Sequence, residues 1–385
     1  MTANDLVGRI EALVPMLADN ARQAETERKP VDVVWEAICA TGAMKGFVPS
    51  RFDGFELDLR SFMEIGINLG RGCVSTAWVT TFCMEHNWLL AQFDPQAQNE
   101  IFGQQPYIVA PGSISPNGRA TPVDGGYQLS GRWQWGTGVM HADWVLLAGM
   151  VDRPDTFDLR MFIVPIDEVT VIDTWQVDGM VGTGSNDVEV ASVFVPEHRS
   201  QPVSEMAEGR GPGALWHDSH IFRIPMLPYK CITAACPAVG AAKEAVSLFF
   251  ERIQQRTLYG SGTKQSDHGP AQMRLGLLDV RAETVEQELY RLADTIEDWG
   301  RADQPCPQRE RARQRLQAAR IVRECRDIVR DVVEASGASS HFLDNPLQRI
   351  HRDVHTLACH TVFDLDVASG TYGRTLLGME IKGLV

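Results

Sequence analysis

Three textures follow one another along the chain. Up to about residue 105, apolar side chains recur at three- and four-residue steps, which predicts helices. Leu6, Ile10, Leu13 and Leu17 open the pattern, with Pro15 marking a kink or break, and Val31–Ala40 and Arg60–Phe93 continue it. Arg51-Phe52-Asp53-Gly54-Phe55 reads as a loop between them. From about Pro106 to Pro196 the chain changes to short β-rich runs: Tyr107–Ala110, Tyr127–Trp135, Trp144–Val151, Arg160–Val164 and Val188–Val195. Turn signals such as Pro116-Asn117-Gly118 and Asp124-Gly125-Gly126 separate them, which predicts antiparallel sheet as a small barrel or a sandwich. Residues 201–215 read as a flexible connection or lid. From about Ile224 helical spacing returns. Ala282, Val285, Leu289, Leu292 and Ile296 form one stripe, and Leu316, Ala319, Val322, Cys325, Val329 and Val332 another. Successive amphipathic helices imply a bundle. The expected organisation is a helical domain (1–105), a β domain (106–223) and a C-terminal helical bundle (224–385), hence an α+β fold that is mainly α.

The last strong periodicity carries candidate chemistry. Leu347, Ile350, Val354, Leu357, Thr361 and Leu365 predict one long helix, whose other face presents Asp353, Thr356, His360 and Asp364. A histidine with a carboxylate one turn away has an orienting partner, and its proton affinity is easily tuned.

Composition narrows the field. With 385 residues the chain can bury one large core or two or three smaller ones. A net charge of −14 argues against a nucleic-acid-binding surface and against anchoring on anionic lipid. No run approaches the roughly 18 apolar residues of a membrane span, and Met1-Thr2-Ala3-Asn4-Asp5 lacks the basic start of a signal peptide. The eight cysteines form no CxxC pair and no metal-type cluster with histidine, so they read as reduced core residues of a cytoplasmic protein. The run Arg309, Arg311, Arg313, Arg315 reads as a solvated or intersubunit face. No GxGxxG follows a strand, so the chain is not expected to use NAD(P)H itself.

Several segments in order resemble the acyl-CoA dehydrogenase superfamily, over nearly the whole chain. They are Leu129–Asp143 (with Trp135-Gly136-Thr137-Gly138), Gly179–Val188 followed by Val195-Pro196, Arg256-Thr257-Leu258-Tyr259-Gly260, and Arg352-Asp353. The resemblance implies an N-terminal helical domain, a middle antiparallel β-barrel and a C-terminal four-helix bundle, assembled as a homotetramer. It also implies that Thr137, with Trp135 and Gly138, meets the flavin ring edge, and that Arg256 reaches flavin phosphate, often across a subunit interface.

A dehydrogenase needs a carboxylate base beside the flavin. The two places where that family carries one fall here at Thr361 and in Leu227–Ile232, and neither holds Glu or Asp. His360 stands beside the first. In this the chain resembles the group D oxygenase components of two-component, reduced-flavin-dependent monooxygenases. The segments Arg71–Val79 and Tyr372–Gly378 look like those hydroxylases too.

That branch implies reduced FMN or FAD from a separate NAD(P)H:flavin reductase, O2 as co-substrate, and a flavin C4a-hydroperoxide that attacks a phenolic or related aromatic compound. In it His360 is the hydrogen-bond donor at C4a, with Asp364 its orienting carboxylate. Thr137 is a hydroxyl donor that holds the N5 locus and slows peroxide loss, and Ser113 and His86 polarise the substrate hydroxyl, Ser113 also touching the flavin. Trp78, Phe82, Trp88, Ile221 and Phe222 are expected to shape the substrate pocket. His351 and His355 read as structural or solvent-facing, and His141 has no assigned role. The alternatives are an acyl-CoA dehydrogenase-like flavoenzyme with another base, an N-, S- or indole-oxidising member of the branch, and a flavin-binding or helical scaffold without turnover.

Overall fold

The computed structural model describes residues 2–153, 157–258, 260 and 262–381. Tyr259, part of the Arg256–Gly260 segment, lies outside them.

The N-terminal region is helical: α1 (Ala3–Glu11), α2 (Val14–Glu27), α3 (Asp32–Thr41), α4 (Leu59–Gly72), α5 (Val74–Leu90) and α6 (Pro95–Phe102). Pro15 does not kink a helix. It sits in the first turn of α2, where a missing N–H costs nothing. The long run expected over 60–93 is two helices, broken where Cys73 turns extended. Every side chain of α5 is buried, including the polar Glu85, His86 and Asn87, each of which has a partner.

Seven strands follow: β1 (Gly112–Val123), β2 (Gly126–Trp133), β3 (Trp144–Val151), β4 (Leu159–Pro165), β5 (Thr170–Ile172), β6 (Asp187–Pro196) and β7 (Ser200–Pro202). They form one sheet in the order β5-β6-β2-β1-β3-β4-β7. In a flat sheet β2 and β4 would lie about 14 Å apart. Yet the rings of Tyr127 and Phe162, one on each, meet at 5.4 Å. The sheet therefore curls around its own apolar interior of Tyr127, Leu129, Trp133, Leu147, Phe162 and Val195. Alternate residues such as Leu146, Met161 and Ile163 face the helical core instead.

Three strand expectations need correction. β1 and β3 pair in parallel, among the described residues the one departure from antiparallel pairing. Pro116-Asn117-Gly118 is not a turn between strands. It lies inside β1, at a shift in register between Ser113 and Gly118. Tyr107–Ala110 is not a strand either, because side chains of α5 take its main-chain groups: Asn87 bonds both N–H and C=O of Ile108, and His86 bonds the carbonyl of Ala110.

The 201–215 segment is packed rather than loose. It forms α7 (Val203–Ala207) and α8 (Pro212–Trp216), with Val203, Met206 and Ala214 buried. Three long helices follow, α9 (Met226–Gln255), α10 (Gly269–Arg301) and α11 (Gln308–Ser336), packed with α12 (Pro346–Ala358) and α13 (Leu365–Leu376). On average α9 is long and apolar enough to cross a membrane, but 78% of that window is buried inside the protein, so it is a core helix. It lies against α4 at backbone distance, since a Cβ on Gly240 would come within 2.1 Å of the Ile67 carbonyl oxygen.

The C-terminal periodicity is not one helix. α12 ends at Ala358, a short 3-10 turn covers Thr361–Phe363, and α13 begins at Leu365. Two capping side chains cause the break: His360 accepts from the Val362 N–H and Asp364 from the Val367 N–H. Cys359, expected in the core with the other cysteines, is exposed at this break.

Candidate active site

A cavity of about 390 Å³ opens where α5, β1, the segment after β2, the start of α9 and the turn after α12 converge. One face of α5 supplies its wall. Trp78, Phe82 and His86 follow at four-residue steps, so their side chains align. Trp78 and Phe82 stack at 4.5 Å, and Phe82 meets His86 edge-on at 5.8 Å. The ring of His360 meets Trp78 edge-on at 5.4 Å. An aromatic stripe thus links the two histidines.

The main chain sets each histidine differently. His86 Nδ1 lies 2.6 Å from the carbonyl oxygen of Ala110. A carbonyl only accepts, so Nδ1 carries the proton and Nε2 is left with a lone pair. That Nε2 lies over Gly112, where a Cβ would come within 3.4 Å of it. Burial, reinforced by the charge of Lys230, pushes the proton affinity of His86 well below its ordinary value, so it is neutral. In His360, Nδ1 accepts the Val362 N–H at 3.4 Å, so the ring proton sits on Nε2. Burial, and secondarily Lys230, hold this ring's pKa down to about 4. His360 is therefore a neutral donor and His86 a neutral acceptor.

Arg315 fixes the turn that bears His360. It donates from Nε to the Val362 carbonyl at 3.2 Å and from Nη2 to the Thr361 carbonyl at 3.0 Å. It is buried, unlike the solvated face expected of the arginine run. The proposed partnership of His360 with Asp364 is not observed. Asp364 is exposed and caps α13, because the helix expected to align the two is interrupted between them.

Thr137 lies on the cavity wall, its hydroxyl 2.9 Å from that of Ser185, which is 2.8 Å from that of Thr183. The chain ends at the carbonyl of Met180, 2.9 Å from Thr183 Oγ1. Asp353 holds this loop: it accepts the Met180 N–H at 2.6 Å, and burial raises its pKa to about 6. Arg352 donates to the Asp178 carbonyl. Met180 itself is left-handed, at φ +57°. The Arg352-Asp353 pair is thus the tie between α12 and the loop.

Ser113 and Trp135 also line the cavity, and Gly138 takes the left-handed φ of +85° that turns the chain behind Thr137. Sequence reasoning missed Lys230, which lines the cavity and pairs with the fully buried Glu85. Burial pushes the Glu85 carboxyl up, and Lys230 offsets part of that. Of the expected pocket residues, Trp78 and Phe82 line the cavity. Trp88, Ile221 and Phe222 instead belong to the core, where Trp88 Nε1 donates to the Ile221 carbonyl at 2.7 Å. His141 stacks on Trp35 at 4.7 Å.

Comparison with known proteins is consistent with this geometry. The family model described as "Acyl-CoA dehydrogenase, C-terminal domain" matches residues 232–365. A pigment production hydroxylase of Rhodococcus sp. (strain ATCC 21145) is 35% identical over 383 residues, covering 99% of this chain and 98% of that protein. The oxygenase component of p-hydroxyphenylacetate 3-hydroxylase from Acinetobacter baumannii is 29% identical, over 97% of this chain and 89% of its own. HsaA of Mycobacterium tuberculosis, a flavin-dependent monooxygenase oxygenase subunit, is 30% identical over 98% of this chain and 96% of its own. The HsaA crystal structure matches with a TM-score of 0.93, covering all of both chains.

The chain belongs to the oxygenase components of two-component flavin-dependent monooxygenases.

As such an oxygenase component it is an oxidoreductase that works with reduced flavin, and its fold is that of the acyl-CoA dehydrogenases. The residues present fit a flavin ring. The buried Thr137 hydroxyl, the exposed Trp135 indole in a left-handed backbone (φ +64°) and the neutral His360 donor border one largely apolar cavity. Arg256 does not border it. It ends α9, 26 residues beyond Lys230, or about 39 Å along the helix. It donates to the Ser336 carbonyl.

Proposed function

We propose that this oxygenase component hydroxylates a phenolic or closely related aromatic compound, with His86 and Ser113 at the substrate hydroxyl and His360 and Thr137 at the flavin. The observation that carries the reading is the pair of opposed neutral histidines in one cavity. Reduced flavin, when bound, would supply the two electrons that activate O2, one of whose oxygen atoms goes to the aromatic ring and the other to water. The protein supplies what surrounds that chemistry. His86 Nε2 has the lone pair to accept a phenol proton and make the ring more electron-rich. Ser113 offers a hydroxyl beside it. His360 Nε2–H donates a hydrogen bond at the oxygen-activating edge, and being neutral it does so without delivering a full proton. Trp78 and Phe82 exclude water between them.

Arg256 serves a flavin bound in a neighbouring subunit, a role its distance from its own cavity supports. This requires a neighbouring subunit, and we assign it to a homotetramer, supported by an open groove of about 970 Å³ beside α9 and α10 and by exposed apolar side chains nearby, Phe250, Met273 and Leu277. The reduced flavin comes from a separate reductase in the same cytoplasmic compartment.

The test supplies reduced FMN or FAD, O2 and a panel of phenols, and scores product against H2O2. Oxygenated phenol at a substantial fraction of the O2 consumed is expected. Product only from thioethers, amines or indoles would replace the substrate assignment, and no product from any class would overturn the reading.

A further inference from the structure

The three hydroxyls of Thr137, Ser185 and Thr183 are buried, and their hydrogen bonds can run in only one direction. The carbonyl of Met180 at the far end has no proton to give, so Thr183 must donate to it. A hydroxyl has one proton, so Thr183 accepts from Ser185, and Ser185 accepts from Thr137. The Thr137 proton is thereby committed to the wall, and the cavity meets only its oxygen lone pairs. Reversing the chain would set two oxygen lone pairs against each other at the Thr183–Met180 contact.

We propose that Ser185 and Thr183 are positioning residues that fix Thr137 as a hydrogen-bond acceptor, so that the site selects reduced over oxidised flavin. Resting on the placement of Thr137 at flavin N5 in the functional reading above, the inference follows from elementary flavin chemistry. Reduced flavin carries N5–H, a donor that the Thr137 oxygen can accept. Oxidised N5 carries only a lone pair, which that oxygen opposes. The chain is anchored through Met180, whose own N–H is held by Asp353, so its polarity belongs to the fold rather than to the ligand. The consequence suits a protein that takes up reduced flavin and must release the oxidised form after each cycle.

The experiment measures equilibrium binding of FMN and FAD to the full chain. Each is titrated oxidised, and again dithionite-reduced without oxygen, against wild type, Ser185→Ala, Thr183→Val and Thr183→Ser. Wild type is expected to bind the reduced form more tightly. In Ser185→Ala the Thr137 proton is freed toward the cavity. In Thr183→Val the Ser185 proton turns back onto Thr137, with the same result. Both variants should lower the ratio of oxidised to reduced Kd by about tenfold, the size of one buried hydrogen bond gained or lost. For a two-electron couple that is a fall of about 30 mV in the potential of the bound flavin. Thr183→Ser keeps the chain and should keep the ratio.

An unchanged ratio in Thr183→Val, or both Kd values rising together, would overturn the proposal. If Ser185→Ala does not fold, the Thr183 pair still decides. Failure of wild type to bind reduced flavin would sink the functional reading itself. A wild-type preference that survives in the variants would sink the hydroxyl chain alone.

Discussion

His86 and His360 stand at two walls of one cavity and receive opposite main-chain partners. His86 rides on α5, a helix with no exposed side chain, and gives its Nδ1 proton to a carbonyl. His360 caps a three-residue turn beyond the end of α12 and takes an amide proton on the same nitrogen. Both are neutral, so neither works by charge. What differs is which nitrogen keeps the proton, and that is decided by whether a C=O or an N–H lies behind the ring. Histidine chemistry here is written in the backbone around the residue as much as in the residue.

Lys230 bears on both rings, and removing it should give the largest effect. Lys230→Met leaves Glu85 buried without its partner, which should destabilise the fold by about 3–5 kcal/mol. Adding Glu85→Gln should recover much of that. Denaturant midpoints of the two single variants and the double variant check it, and an equally stable Lys230→Met would show that the pair is not holding the wall.

The comparison itself breaks next. His86→Ala should lower product formation by about 100-fold, as expected for loss of a general base, while O2 consumption by the bound reduced flavin continues. His360→Ala should act at the other end, diverting O2 to H2O2 whichever substrate is present. Matching losses in product and in coupling for the two variants would mean that the histidines are not doing different jobs.

Arg315→Met tests the turn. It removes the donors to two carbonyls beside His360, an expected cost of about 1–3 kcal/mol. Product per O2 should fall more than in a surface Arg→Met control. Full coupling in a folded Arg315→Met would show that the turn holds its shape without the guanidinium.

The smallest effect is a pH dependence. The folded-state pKa of His360, about 4, lies below its ordinary 6.5. As pH falls between those values the unfolded chain takes up a proton that the native chain refuses, so stability drains away, and above pH 6.5 it is unaffected. The Tm of wild type should fall relative to His360→Gln by roughly 2 °C between pH 7 and 4.5, with no relative change from pH 7 to 8.5. A shift confined to the alkaline side would contradict the neutral assignment.

Much of this was legible in the sequence because burial writes a period into it. The helical stripes, the strand alternation and the switch between them follow from which side chains face a core. His86, Ser113, Thr137 and His360, far apart in the sequence, all line one cavity. What periodicity cannot register is a capping side chain. His360 and Asp364 fit helical spacing, yet each stops a helix by taking the amide that would continue it. Nor does composition distinguish one arginine of a run from its neighbours, so Arg315 looked solvated although two carbonyls claim it. Tyr107–Ala110 had the residues of a strand but lost its ladder to Asn87 and His86. Lys230 carries no signal in its own segment, because its partner Glu85 lies on another helix 145 residues away.

The tie between Asp353 and Met180 has a mechanical consequence. The loop carrying Ser185 and Thr183 hangs from α12, and seven residues further along the same backbone comes His360. One mount thus carries both the backing of Thr137 and the histidine donor. Thermal displacement of α12 moves the two together, and their alignment survives motions that would separate parts bolted to different frames.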